Sequence, residues 1–294
     1  MNLIDHFLES QKEKQPNTLI SYRLDLIAWE NYLSDRHISI TNATINNIVE
    51  YRHWMTTDKE KPVKPSTVNR SIVVLKQFYD WANRNGHVTS NIASNFKIKR
   101  STVNNTEVKW LTPQESEVLQ YSLESLNNPS GIRDRTVIYL MLFAGLRVSE
   151  VSNLRIVDIF GSNKKNQSIY VKAGKGDKDR TVPINDKLYG AIKEWITVRS
   201  RYKTADSSEY LFVSERASQL TRQGIDALVR YRFKMTNIHG HSSHSLRHTF
   251  AKSLANQNIR LQEIAKLCGH SDIRTTMIYV EPSAEELRKA VNML

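Results

Sequence analysis

Six side chains of the sequence have types suited to chemistry on a phosphate group. They are Arg147, Lys175, His244, Arg247, His270 and Tyr279. Two guanidinium groups match phosphate oxygens with their fixed forks, and such preorganised donors stabilise the charge that develops during attack. A tyrosine, whose ordinary pKa is about 10, becomes a nucleophile when a neighbour accepts its proton or cations favour the phenolate, and a leaving alkoxide needs a general acid. If these side chains meet in one site, their types are suited to binding a phosphodiester and to attack on it by a tyrosine.

The local sequence indicates how several of these residues are placed. Arg147 follows Gly145, where a helix is expected to stop, and Lys175 stands between two glycines that let the backbone approach a ligand closely. His244 and Arg247 are three positions apart, so on a helix they share a face. Each residue alone is more often structural, as a surface charge, a turn residue or a core aromatic. The prediction therefore depends on their combination.

A histidine cluster raises the alternative of a metal site. His239, His241, His244 and His248 lie close together, and the last two have the i, i+4 spacing of a zinc-binding helix. Ser245 stands where such a helix would carry its catalytic glutamate, and no carboxylate cluster nearby completes a ligand set. The sequence also has no Walker-type glycine loop for a nucleotide. We therefore expect neither a metal nor another cofactor.

Composition favours a soluble protein with a polyanionic partner. The chain has 294 residues, with 42 Lys+Arg against 30 Asp+Glu and a net charge of +12. A pI near 9.6 is typical of nucleic-acid-binding domains, although a basic surface without a ligand stays open as an alternative. The single cysteine, Cys268, excludes an internal disulfide, and the longest apolar run, residues 137–145, is too short for a membrane span. We expect a cytoplasmic, nucleoid-associated protein that does not enter membranes.

Two domains are expected to position these residues, with a boundary near residue 106. Residues 1–105 show amphipathic helices, and polar and basic residues replace the periodic pattern at 97–109. The helices predicted in this first domain cover residues 18–32, 43–55 and 66–83.

The second domain, residues 106–294, is predicted to be mainly helical with one β-hairpin. Its two strands, residues 168–172 and 180–184, flank the glycine-rich turn that carries Lys175. Its helices are predicted at residues 113–126, 132–144, 187–203, 222–235, 245–256, 260–268, 272–279 and 284–291. The fold class is therefore mainly α with a small β-sheet (α+β).

Four segments in this order resemble the tyrosine recombinase (phage integrase-like) family, and specifically its Xer-like bacterial or mobile-element members. The segments are GLRVSE from residue 145, GKGDKDR from 174, HSLRHTFA from 244 and CGHSDIRTTMIY from 268. Residues 18–32 and 66–85 resemble the helical core-binding domain of that family. Val148 and Cys268 depart from the common residues at their positions, but neither is expected to take part in proton transfer or to contact a phosphate.

The resemblance implies a role for each candidate residue. Arg147 and Arg247 would clamp the scissile phosphate, and His270 would hydrogen-bond to it. Tyr279 would be the nucleophile, and His244 would assist its proton transfer. Lys175 would protonate the leaving 5′ oxygen. The segment before the hairpin is longer than usual, so Lys172 and Lys178 stay open as alternatives to Lys175.

The resemblance also implies a function and an assembly. The enzyme would cut and rejoin DNA strands through a 3′-phosphotyrosine and a Holliday junction, for dimer or cointegrate resolution or for integration and excision of a mobile element. Its partner would be double-stranded DNA with an inverted-repeat core site, bound by a homo-tetramer or by a heterotetramer with a paralogue. Residues 284–294 would dock on a neighbouring protomer, with packing on their own domain as the alternative. We expect no arm-site-binding domain before the core-binding domain.

Some features of the sequence stay open. Arg222, Arg230 and Arg232 are candidates for reading DNA bases. The alternative functions are DNA relaxation of the type IB topoisomerase kind, DNA binding without catalysis on the same fold, and metal-dependent hydrolysis.

Overall fold

The computed structural model of the protein describes residues 2–58, 62–97, 108–161, 166–172 and 179–280, together with Arg288, Val291 and Asn292. The chain divides into two compact units, Met1–Thr106 and Glu107–Leu294. Both are mainly helical, and a three-stranded sheet lies in the second. The predicted fold class is therefore confirmed. Among the described helices, none combines the length and the apolarity needed to cross a bilayer.

The first unit is a set of helices around an aromatic core. Its α-helices are α1 (Leu3–Ser10), α2 (Pro16–Ser34), α3 (Ile45–His53) and α4 (Pro65–Arg84). Proline at the first position suits the start of α2 and α4, because its missing N–H has no intrahelical partner there. The Trp29 indole donates to the Tyr79 hydroxyl at 2.9 Å, and that hydroxyl donates to the Ile40 carbonyl at 2.8 Å. The buried polar ends of the aromatic core are thus satisfied.

The second unit packs its helices around one central apolar helix. Its helices are α5 (Pro113–Glu124), α6 (Pro129–Phe143), α7 (Val148–Asn153), α8 (Asp186–Arg199), α9 (Arg222–Met235), α10 (Ser243–Asn256), α11 (Leu261–Cys268) and α12 (Arg274–Met277). Residues 131–142 of α6 are buried on almost every side, apart from Arg133. The apolar run of residues 137–142 suits a place in the core, and the buried charges of Asp134 and Arg135 are held in ion pairs. The helix α6 packs against both α8 and α10.

The sheet is antiparallel, in the order β1 (Ile159–Phe160), β2 (Ser168–Val171) and β3 (Arg180–Pro183). In its register, Ile169 lies opposite Val182, and Val171 lies opposite Arg180. The predicted hairpin strands are present. The strand β1 was not predicted, because two residues carry no periodic signal.

Several predicted elements differ in length or lie outside the described residues. The helix predicted at 187–203 ends at Arg199, whose guanidinium donates to the carbonyls of Ser208 and Tyr210 at 2.8 Å and so fixes the chain as it turns back. The helix predicted at 272–279 is the single turn α12. The helices α1 and α7 were not predicted. The hairpin turn with Lys175 and most of the helix predicted at 284–291 lie outside the described residues.

Candidate active site

The side chain of Arg247 is fixed by the ends of two other helices. It lies on the second turn of α10, is 4% exposed, and donates to the backbone carbonyls of Gly145 and Cys268. Gly145 closes α6 with φ +63°, and the Leu146 N–H bonds back to the Leu140 carbonyl at 3.3 Å. A Cβ on Gly145 would lie 2.4 Å from the Phe250 ring, so only glycine fits this turn. The guanidinium therefore has a fixed orientation.

The side chain of Arg147 is held at the start of α7. Its Nη1 donates to Glu150 Oε1 at 2.8 Å, and its Nη2 donates to the Gly269 carbonyl at 2.9 Å. Gly269 ends α11 in the left-handed region with φ +64°, and a Cβ there would lie 2.7 Å from Nη1 of Arg180. This glycine therefore allows a close approach of the arginines to the end of α11.

A buried carboxylate, Glu150, joins three arginines. It accepts two hydrogen bonds from Arg180, at 2.8 and 2.9 Å, and one from the backbone N–H of Arg147 at 2.7 Å. Arg247 Nη1 lies 3.9 Å from its second oxygen. Burial alone would raise the pKa of Glu150, but the hydrogen bonds and charge of Arg180 hold that pKa below its usual value. We call Arg147, Glu150, Arg180 and Arg247 the arginine cluster.

The arginine cluster carries a net positive charge in a largely buried place. Three guanidiniums and one carboxylate leave an excess of two positive charges, and a phosphodiester bound there would offset part of it. The sequence motifs predict Arg147 and Arg247 as residues of this site but indicate no role for Glu150 or Arg180. The Arg147–Glu150 spacing of three residues was the only local signal for this pairing, since Arg180 lies 30 positions further along the chain.

Tyr279 lies after α12 with its side chain 1% exposed. Its ring belongs to a small apolar cluster with Ala251, Ile264 and Cys268. The hydroxyl oxygen is 2.5 Å from Nδ1 of His248. Burial raises the pKa of Tyr279 to about 12, and the charge of Arg247 opposes that rise. The hydroxyl is therefore protonated at neutral pH.

The backbone at Tyr279 is held by a buried lysine of α10. The Lys252 ammonium donates to the Tyr279 carbonyl at 3.3 Å, and it lies 5.3 Å from the centre of the Trp110 ring. The residue that contacts the hydroxyl, His248, is one helical turn before Lys252. One face of α10 thus holds both ends of Tyr279.

The three histidines near Tyr279 have different surroundings. His244 is exposed, and its ring stacks on that of His248 with 6.0 Å between centroids. His270 stacks on Tyr279 at 6.4 Å, and its Nδ1 lies 2.8 Å from the Thr276 hydroxyl. Burial first, and neighbouring positive charge second, lower the pKa values of His248 and His270 to about 4. The pKa of His244 is lowered by the same causes.

An open cleft of about 680 Å³ borders the arginine cluster. Arg147 and His244 line it, together with Arg222 and Arg230 of α9. The third candidate for reading bases, Arg232, is instead held in an ion pair with Asp134, with an Nε–Oδ2 distance of 2.9 Å and a side chain 13% exposed. Arg222 and Arg230 are therefore the two candidates whose side chains face solvent.

The structure brings five of the six predicted residues into one region, reached from α7, α10, α11 and the segment around α12. Lys175 and its alternative Lys178 lie outside the described residues, while the other alternative, Lys172, is exposed at the end of β2. The residue at the Tyr279 hydroxyl is His248, for which the sequence suggested only the role of a metal ligand. Within the described ranges, no group of three or more His, Cys, Asp or Glu residues is arranged to hold a metal ion.

Comparison with known proteins matches each of the two units to a domain of phage integrases. Residues 4–86 match the phage integrase N-terminal SAM-like domain, and residues 109–286 match the phage integrase family. The tyrosine recombinase XerD of Rickettsia prowazekii (strain Madrid E) is 31% identical over 303 residues, covering 99% of this chain and 96% of the relative.

Solved structures share the fold at lower identity. The XerH site-specific recombinase, bound to a palindromic difH substrate after cleavage, has a TM-score of 0.78 at 22% identity, covering 97% of this chain and 82% of that one. The integrase of transposon Tn1549, in complex with a circular intermediate DNA, has a TM-score of 0.75 at 20% identity over the full length of both chains. The resemblance stated from the motifs is therefore confirmed. The chain belongs to the phage integrase family of tyrosine recombinases, and it is a site-specific recombinase of the Xer-like kind.

Proposed function

We propose that this recombinase cleaves double-stranded DNA by attack of Tyr279 on a phosphodiester bound at the arginine cluster, which leaves the DNA joined to Tyr279 as a 3′-phosphotyrosine. The observation that carries the proposal is the meeting of Arg147, Arg247 and His270 with Tyr279 in one region of the second unit. Rejoining is the same reaction in reverse, with a 5′ hydroxyl as the attacking group. Because the phosphotyrosine conserves the energy of the phosphodiester, the cycle needs no ATP.

Phosphate binding is assigned to Arg147, Arg247, His244 and His270. The contacts of both arginines with backbone carbonyls fix their guanidiniums before DNA arrives, so no reorganisation is needed when charge develops on the phosphate. His244 lines the cleft beside Arg147 and is placed to contact a phosphate that enters there. Its assignment to proton transfer at Tyr279 has less support, since the hydroxyl contacts His248.

The general acid is assigned to Lys175. An ammonium group between two glycines can approach the leaving 5′ oxygen and donate a proton to it, a role typically worth about 10²–10⁴-fold in rate. Lys172 and Lys178 are the alternatives. A DNA substrate with sulfur in place of the leaving oxygen tests this assignment, because a thiolate leaves without help from a general acid. This substrate should restore cleavage by the variant that lacks the lysine acting as general acid.

The proposed partner is double-stranded DNA with inverted repeats, bound on the nucleoid in the cytoplasm. The net charge of +12 and the cleft with Arg222 and Arg230 support a DNA partner. A tetramer that acts through a Holliday junction, as a homo-tetramer or with a paralogue, is consistent with the palindromic site of the XerH complex and with a DNA-bound dimer of lambda integrase. Residues 284–294 are proposed to dock on a neighbouring protomer. The biological role is dimer or cointegrate resolution, or integration and excision of a mobile element.

A nicked suicide duplex tests the proposed chemistry directly. The duplex is chosen by binding from a randomised library, and its nick lets the cleaved end diffuse away so that the covalent adduct accumulates. The wild-type enzyme should form the adduct, and Tyr279→Phe should form none while binding the duplex with nearly unchanged affinity. An adduct of normal yield with Tyr279→Phe would refute the assignment.

A further inference from the structure

The residue that contacts the nucleophilic oxygen was not among the predicted catalytic residues. Nδ1 of His248 lies 2.5 Å from the Tyr279 hydroxyl, whereas His244 is one turn earlier on α10 and lines the cleft. The two imidazoles stack, so they form a short row from the cleft to the buried hydroxyl. The inner imidazole is the one in contact with the reacting atom.

The surroundings of His248 fix its resting protonation state. His244 and Arg247 face it from its own helix, while Tyr279 and His270 approach from the segment around α12. Burial and these neighbours keep His248 neutral at physiological pH, with a pKa of about 4, while the phenol of Tyr279 stays protonated, with a pKa of about 12. A neutral imidazole has one ring nitrogen that accepts a hydrogen bond.

The hydrogen bond has one reasonable direction. Among the described residues, His248 is the hydrogen-bond partner of the Tyr279 hydroxyl. A buried phenol requires an acceptor for its O–H. The Tyr279 O–H therefore donates to Nδ1, and Nε2 of His248 carries the ring proton.

We propose that His248 accepts the proton of Tyr279 during DNA cleavage, while His244 contacts the phosphate. This inference rests on the function proposed above. In the step, a lone pair of the Tyr279 oxygen forms the bond to phosphorus as the bond from phosphorus to O5′ breaks. The phenolic proton passes to Nδ1 of His248, and O5′ takes a proton from the general acid, for which Lys175 is the candidate. In the rejoining reaction, protonated His248 returns its proton to the departing phenolate.

The transfer must accompany attack rather than precede it. The wide gap between the two pKa values makes an isolated phenolate–imidazolium pair unfavourable in the resting enzyme. A bound phosphate offsets the positive charge of Arg147 and Arg247, which raises the proton affinity of the nearby imidazole. Formation of the bond to phosphorus removes the negative charge from the phenol oxygen at the same time. Lys252 keeps the backbone of Tyr279 in place while this happens.

Single-turnover adduct formation on the suicide duplex, measured from pH 6 to pH 9, tests the proposal. His248→Asn places an amide oxygen near the position of Nδ1, so it keeps a hydrogen-bond acceptor but cannot take a proton. We expect this variant to react about 10²-fold more slowly at pH 7. We also expect its rate to rise about tenfold per pH unit, because hydroxide must then remove the phenolic proton, whereas the wild-type rate stays nearly flat. His6→Asn, on the exposed face of α1, is the matched control and should behave as wild type.

The outcomes separate this inference from the proposed function. A wild-type enzyme that forms no adduct, or an adduct with Tyr279→Phe, refutes the proposed function. A normal wild-type adduct together with a His248→Asn variant of wild-type rate and flat pH profile overturns only the role of His248. If His248→Asn does not fold, nitrogen NMR of the wild-type histidines decides: an unprotonated Nδ1 of His248 at pH 7 supports the proposal, and a protonated Nδ1 overturns it.

Discussion

The arginine cluster and the segment that carries Tyr279 are built in different ways. In the arginine cluster, Glu150 accepts hydrogen bonds from the side chains of Arg147 and Arg180, and backbone carbonyls at Gly145, Cys268 and Gly269 fix the guanidiniums. Tyr279 follows a helix of one turn, and side chains of α10 hold its hydroxyl and its carbonyl. The proposed phosphate-binding side is therefore fixed by many hydrogen bonds, whereas the proposed nucleophile is held by packing and by two hydrogen bonds with one helix. A fixed anion site with a separately held nucleophile would allow attack to be controlled without disturbing phosphate binding.

The largest expected effect comes from removing the carboxylate of the arginine cluster. Glu150→Gln leaves Arg180 buried without its charged partner, so we expect the free energy of unfolding to fall by about 3 kcal/mol. Urea unfolding measures this loss. The control is Glu209→Gln, which breaks the exposed ion pair with Arg155 and should cost less than about 1 kcal/mol. Equal losses in the two variants would mean that the cluster is not specially stabilised.

A smaller loss of unfolding free energy is expected from replacing Gly269, the glycine at the end of α11 that contacts the arginine cluster. Gly269→Ala forces a side chain into left-handed backbone and against Arg180, which should cost about 2 kcal/mol and slow adduct formation. Gly86→Ala has a similar φ of +73° but meets nothing within 4 Å, so it isolates the backbone strain of about 1 kcal/mol. Each variant loses part of the wild-type free energy of unfolding, and the difference between the two losses measures the close approach of Arg180. A difference of zero would contradict the tight packing.

Acidification should destabilise the segment around Tyr279, where His248 and His270 lie, and leave the arginine cluster intact. The native pKa values of His248 and His270 are about 4, below the ordinary histidine value of about 6.5, so between these pH values the unfolded chain binds protons that the native chain does not. The contribution of these two neutral histidines to the free energy of unfolding is therefore fully present above pH 6.5, and it is lost as the pH falls towards 4. We expect a loss of about 1 to 2 kcal/mol between pH 6.5 and pH 5 after allowance for partial solvent screening. Urea unfolding of a variant with both histidines changed to asparagine should lack this loss; an unchanged dependence would contradict it.

The smallest expected effect comes from the lysine that holds the Tyr279 backbone. Lys252→Met removes the ammonium contacts with the Tyr279 carbonyl and with the Trp110 ring, a hydrogen bond of 3.3 Å and a cation–π contact each worth on the order of 1 kcal/mol. We expect amide hydrogen exchange at residues 277–280 to become about fivefold faster. Exchange at residues 145–150, in the arginine cluster, should not change. Equal acceleration at both places would show that the two regions are not independent.

Local sequence signals predicted the helices and turns that carry this site better than the side-chain contacts within it. The helix predicted at 222–235 matches α9, and the stop at Gly145 was readable because a glycine after an apolar helix is a common terminator. The motif residues Arg147 and Arg247 also lie together as expected. Two contacts of the site were not predicted: Glu150 pairs with Arg180, 30 positions away, and His248 contacts Tyr279, 31 positions away. Such contacts depend on tertiary packing, which a local pattern does not contain.

Mapping the covalent adduct tests the central claim most directly. The wild-type adduct with the suicide duplex is digested with nuclease and trypsin, and the peptide that carries the residual nucleotide is identified by mass spectrometry. Tyr279 is the only tyrosine in the tryptic peptide of residues 275–288. We expect the nucleotide on Tyr279 of this peptide, attached through a 3′ phosphate. A nucleotide on any other residue, or one attached through a 5′ phosphate, would contradict the account.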